Sequence, residues 1–500
     1  MGQSSSTKER AMEPSYENLE YQGLFTEAEL EEMGQTYQAI CQLGKEAAEK
    51  ACGFSLLQLQ RFIGGKLPAS IVGRLHKQLQ ARDGSQEGAG ISRNTFVDTM
   101  ACLMKGTPQE QSNLLFALVS DEEADAMSVG QVSELIGSML KSYEAALKSY
   151  DRMNGWELTC TAEANQKFID AVVQFFGSDG SKPAAEAKVS REDFARWLQH
   201  TPLVQQIIAD VFHLCFSAAS RSPAATASTD TDTSVLHHLP SLPRCLGANW
   251  RKLHTQLDIP SLLILTRHLP HHLRDQWRFL YSTAVHGLPH PLRDQWRFLY
   301  STAVHGASFA TLLAHVTRRG PTVLLVRDTE GHLFGGFASD SWEIGPSFVG
   351  SSRCFLFSLA PKVGIYEASG QNDHYMYLNI DQQTLPNGLG MGGQFDYFGL
   401  WLDQEFGQGH SRARPKCLTY GSPQLSGKED FTIDLVEAWA VGPPPKKPED
   451  EDEDTKKSIL DKDPEAQALL ELIGKGRKSE GLREEDPMAD IPEVHELPTK

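Results

Sequence analysis

Beyond Thr322 the chain breaks into short runs rich in β-branched and aromatic residues, each bounded by Gly, Asp or Asn. They are Thr322 to Arg327, Leu333 to Ala338, Cys354 to Leu359, His374 to Leu378, Tyr397 to Leu402 and Leu435 to Val441. Runs of this length and punctuation predict strands, and a series of them predicts stacked β-layers. The nearly continuous apolar run from Cys354 to Leu359 predicts a strand buried on both faces, as inside a packed sandwich. A helix is expected at Phe309 to Arg318.

The first half has the opposite character. From Tyr16 to Ser217 apolar residues recur at three and four residue spacing, as in Phe25 to Leu43, Leu114 to Leu118 and Phe168 to Phe176. Three helix starts carry a Ser N-cap with a hydrogen-bonding side chain three residues on: Ser92 with Thr95, Ser128 with Gln131 and Ser190 with Asp193. An apolar residue, a capping Ser and then a helix is also the exit side of an EF-hand loop. In the best candidate, counted from Ser120, Asp125 stands where Gly is needed and Gln131 where the bidentate Glu belongs. The segment is therefore read as an EF-hand-like helical scaffold with no metal site.

The formal charge of −18 disfavours nucleic acid and bare anionic membrane as partners of the folded body. No apolar run approaches the roughly 18 residues of a membrane span. The start MGQSSSTKER lacks the apolar core of a secretory signal, so a cytoplasmic chain is expected. Cys41, Cys52, Cys102, Cys160, Cys215, Cys245, Cys354 and Cys417 form no CxxC pair, which points to reduced thiols. Met1 to Ser6 fits the pattern for N-myristoylation at Gly2. A single myristoyl chain binds membranes marginally, so stable residence needs a partner already there.

The fold class read from the sequence is α+β. A disordered start (1–15) precedes the helical EF-hand-like half (16–217), a Ser, Thr and Asp rich linker (218–240) and a mainly β sandwich domain (241–442). An acidic linker (443–457), a C-terminal amphipathic helix (458–480) and a disordered tail (481–500) follow. In the tail helix Leu469, Leu470 and Ile473 form an apolar stripe that needs a docking surface. Inside the sandwich domain Leu269 to Gly287 is repeated as Leu288 to Gly306, differing only at His272 versus Pro291. Only the second copy runs directly into Ala307, Ser308 and Phe309. It is taken as the native element, and the first as an extra helix or loop outside the core. The histidines that the repeat gathers are not a metal site.

The order WRFLYSTAVHGASF (Trp296 to Phe309), GPTVLLVRD, FGGFAS, RCFLFSL, NDHYMYLN, NGLGMGGQ, FGLWLD and EAWAVG (Glu437 to Gly442) resembles the TLDc domain throughout. The Gly2 signal, the helical first half and the tail KSILDKDPEAQALLELIG extend the likeness to an mTOR-associated branch of that family. The resemblance implies a non-enzymatic adaptor, peripheral on the lysosomal membrane, that supports mTOR signalling and binds the V-ATPase, the vacuolar proton pump. An alternative is an oxidative-stress-protective regulator of that pump with only an indirect signalling role. The Gly2 lipid is the one attached group implied, and no other cofactor.

An enzyme reading has little to stand on. His374 with Asp373, and Ser358, Cys354 or Glu343, could be combined on paper, but none lies in a nucleophile elbow or at metal-ligand spacing. The segment Asn387 to Gln394 lacks the lysine of a phosphate loop, so its Asn387, Gly388, Gly390, Gly392 and Gln394 read as a tight turn. Exposed residues of that turn and of Asp403 to Arg414, with the tail stripe, are the expected partner contacts. Gly335 and Gly336 are read as permitting close packing within a strand.

Overall fold

The helix starts named above form as expected. The structure is a computed structural model and describes residues 25–43, 53–84, 91–120, 125–177, 182–216, 240–282 and 308–443, apart from 252, 254 and 396. The expectations for Gly2, for Leu469, Leu470 and Ile473, and for the second copy of the repeat fall outside these residues. The first half holds α1 (Glu27–Gln42), α2 (Leu56–Ile63), α3 (Ala69–Asp83), α4 (Arg93–Lys105) and α5 (Pro108–Val119). Then come β1 (Ala126–Ser128), α6 (Val129–Ser149), α7 (Ala162–Val173), β2 (Lys188–Ser190), α8 (Arg191–His200) and α9 (Pro202–Phe216). Ser92, Ser128 and Ser190 each accept the backbone N–H three residues on, capping α4, α6 and α8.

Two of these starts are joined. β1 and β2 pair antiparallel, Met127 opposite Val189, so two helix-loop-helix units meet through their loops as in a paired EF-hand. The side chain at the last loop position takes part in the cap of the helix: Gln131 Oε1 accepts the Ser128 N–H at 2.8 Å, and Ser190 Oγ lies 2.9 Å from Asp193 Oδ2. Each closes the cap of the following helix.

The second half is one antiparallel ladder folded into two arms. β3 (Arg244–Leu246), α10 (Ile259–His268) and β4 (Gln276–Ser282) lead into it, followed by α11 (Phe309–Val316). One arm contains β5 (Thr322–Asp328), β6 (Leu333–Ala338), β7 (Phe355–Ala360) and β8 (Gly364–Glu367). The other contains β9 (Tyr377–Asn379), β10 (Gly388–Gln394), β11 (Tyr397–Asp403) and β12 (Gln408–His410). The long β13 (Asp430–Val441) joins them, pairing with β12 through its first residues and with β5 and β4 through its last. Gly336 marks how closely the arms face, since a Cβ there would lie 2.4 Å from Met391 Sδ of β10. Gly335 is as confined, its Cβ position being 1.9 Å from Leu324 O.

The strands of the first arm serve two cores. Leu324, Val326, Phe334 and Leu356 point between the arms, among Leu389, Met391, Leu400 and Leu402. Val323, Leu325, Phe337, Phe355 and Phe357 point the other way, into the core of the helical half. That double burial is why Cys354 to Leu359 carries no polar alternation. Four tryptophans fasten the helical half to the sheet: the Trp156 ring lies 4.9 Å from Trp439, 5.8 Å from Trp250 and 6.2 Å from Trp277. Beside them Glu437, fully buried, accepts hydrogen bonds from Thr255 Oγ1, the Gln256 N–H and Trp439 Nε1.

The structure overturns the assignment of the first copy to the periphery. Its Gln276 to Ser282 are β4, hydrogen-bonded to β13 and to β3, with Trp277 fully buried. The two copies share every residue of this strand, so local sequence does not choose between them. The first follows α10 within a few residues and fills the place beside β13.

Candidate partner-binding edge

The glycines of Asn387 to Gln394 form no exposed turn. Gly388 to Gln394 are a strand, β10, lying between β9 and β11. Among these residues only Asn387 and Gln394 reach solvent. Gly388 and Gly390 point to one face of the strand. A Cβ on Gly390 would meet Phe398 Cδ1 at 2.7 Å and Trp401 Cε3 at 2.8 Å, and one on Gly388 would meet Trp401 Cζ2 at 2.5 Å. The bare strand is the floor on which β11 lays its aromatic rings.

A sheet of rings is built on that floor. Phe398 and Trp401 stack at 4.5 Å, Trp401 stacks on His410 at 5.8 Å, and Tyr377 of β9 packs beside both. Above them the segment before β7 runs along the edge strand, the Gly345 N–H bonding Leu378 O at 2.9 Å and the Val349 N–H bonding Met376 O at 2.8 Å. This brings Phe348 over the cluster, 4.2 Å from the His374 ring at an interplanar angle of 12° and 5.3 Å from Phe395. Offset stacks of this kind hold their rings rigidly. At the rim Ile344, Val349 and Phe395 are 50%, 38% and 38% exposed. A rigid aromatic base under an exposed apolar rim is the anatomy of a protein-contact surface.

The residues weighed for catalysis are each engaged separately. His374 Nδ1 donates to Gly393 O at 2.6 Å, Ser358 Oγ donates to Lys362 O at 2.7 Å, and Cys354 Sγ donates to Ser339 Oγ at 3.2 Å. Asp373 and Glu343 are exposed. Within Asp403 to Arg414 the two final arginines pair with the start of β13 and the residue before it, Arg412 with Asp430 at 3.1 Å and Arg414 with both oxygens of Glu429. The rim residues Ile344, Val349 and Phe395 were missed because single exposed apolar residues in loops carry no periodic signal; the aromatic spacing of Phe395, Phe398 and Trp401 beside a Gly strand was the available one.

The TLDc domain family profile matches residues 287–442, beginning at the last residue of the first copy of the repeat. The chain is 37% identical over 450 residues to the MTOR-associated protein MEAK7 of Gallus gallus, covering 86% of this chain and 87% of that one. To the protein of the same name from Homo sapiens it is 36% identical over 472 residues, covering 92% and 96%. Oxidation resistance protein 1 of Xenopus tropicalis is 32% identical over 177 residues, which are 35% of this chain and 17% of that one. With a TLDc domain behind a helical first half and this likeness over almost its whole length, the chain belongs to the TLDc-domain family of MTOR-associated MEAK7 proteins.

Proposed function

We propose that this protein is a non-enzymatic adaptor, held on the lysosomal membrane by myristate at Gly2, that supports mTOR signalling and binds the V-ATPase. The observation that carries the contact is the exposed rim of Ile344, Val349 and Phe395 over stacked rings. The relatives' association with mTOR gives the pathway. The stripe of Leu469, Leu470 and Ile473 supplies a second contact in this reading, and the lipid supplies the weak affinity that a resident partner completes. A second reading, protection against oxidative stress through pump assembly, is favoured by the likeness to oxidation resistance protein 1.

The test is affinity purification with mass spectrometry from lysosome-enriched membranes, comparing the full chain with Gly2→Ala and with Val349→Ser/Phe395→Ser. Gly2→Ala is expected to move the protein to the soluble fraction. The double variant, changed only at exposed side chains, is expected to recover mTOR and pump components at least about ten-fold less. Undiminished recovery would remove the aromatic edge from the reading. Pump subunits without mTOR components would favour the second reading.

A further inference from the structure

A cleft of about 1210 Å³ opens where the helical half meets the sheet, between α6, α9, α10 and the segment leading into β3. It lies apart from the aromatic edge and shares no residue with it. The chain is acidic, yet Arg152, Arg244, Arg267 and Arg274 all line this cleft, against the carboxylates of Asp210 and Asp275. Among the described residues Arg244, Arg267 and Arg274 make no ion pair. Arg267 donates to Gln206 Oε1 at 2.9 Å, and Arg274 Nε donates to Leu269 O at 2.8 Å. Burial, and then the positive charge of Arg274, hold Arg267 below its usual range. Thr266 also lines the cleft, and its buried hydroxyl has no hydrogen-bond partner.

Half-buried like charges beside a buried, unpaired hydroxyl are unfavourable, and an anion that joins them relieves both. Guanidinium groups bind phosphate oxygens two at a time, and several around one concave wall select a ligand with several phosphates. The volume is that of a small-molecule site and far exceeds one phosphate ion. From this geometry we infer that the cleft is a binding site for a small molecule carrying several phosphates, with the half-buried Arg267 and Arg274 as its main contacts and the exposed Arg244 as a further one. The inference is independent of the adaptor reading.

Calorimetry of the full chain with inositol hexakisphosphate at about 0.15 M salt tests it, because exposed charge alone is largely screened there. A Kd of about micromolar order is expected, weakened at least about ten-fold in Arg267→Gln/Arg274→Gln and several-fold in Arg244→Gln, whose exposed side chain leaves folding untouched. Sedimentation with vesicles containing phosphatidylinositol 4,5-bisphosphate separates the sources. Arginine-dependent pelleting assigns the phosphates to a lipid headgroup, and its absence beside a positive calorimetric result assigns them to a free ligand. No heat with the wild type, equal binding by the variants, or equal binding of a poly-glutamate peptide would each overturn the inference.

Discussion

Gly393 shows how a single missing side chain holds the candidate edge together. Its backbone has φ +85°, and a Cβ would lie 2.0 Å from Tyr397 O, the residue with which β11 begins. Its N–H bonds Thr419 Oγ1 at 2.8 Å, and its carbonyl accepts His374 Nδ1, so it has no room to move away. Gly393→Ala is expected to cost about 2–4 kcal/mol by chemical denaturation, from a strained φ plus a collision with backbone. Gly407→Ala, where nothing lies within 4 Å of the new Cβ, is expected to cost less than about 1 kcal/mol. Equal losses at the two positions would show that the collision is relieved by a shift of the turn.

At the scale of elements, the stretch that forms the strand beside β13 occurs twice in the sequence, and the first copy supplies that strand. α11 packs on β4, so the strand and the helix after it are neighbours without the intervening copy. A chain lacking Leu288 to Gly306 keeps both β4 and α11 and is therefore expected to unfold at a midpoint equal to or slightly above that of the full chain, since a shorter connection between two packed elements lowers the closure entropy cost by under about 1 kcal/mol. A large fall in the midpoint would mean that the second copy contributes packing of its own. Legibility followed the same logic. β5, β6, β7 and β11 were readable because burial on both faces leaves long apolar runs such as Cys354 to Leu359. β10 was misread as a turn because its strand character lies in what its neighbours need, bare backbone under Trp401 and Phe398, and not in its own propensity. β4 was misplaced because identical copies carry no local information about which one is used. The edge of Ile344, Phe348 and Val349 is assembled by pairing across distant segments, which periodicity does not record.

For the whole molecule the decisive fact is that helices and sheet share one continuous core running from α1 to Phe357 and Trp439. The described residues accordingly form one compact unit, and a local penalty in it is felt globally. Asp210 on α9 supplies such a penalty, because burial pushes its carboxyl up to about 7. Its folded pKa exceeds its unfolded one, so the associated stability is complete below about pH 4 and is lost as pH rises to about 7. Asp210→Asn is expected to raise the midpoint of a single thermal transition by the equivalent of about 1–3 kcal/mol at pH 7.5, the gain shrinking toward zero near pH 4. Two separate transitions, or a gain independent of pH, would contradict this account. The duplicated strand has a consequence of another kind. The seven residues of β4 stand in the sequence twice, at Gln276 to Ser282 and at Gln295 to Ser301, so a codon change that removes Trp277 leaves the same stretch written intact once more, with its tryptophan at Trp296.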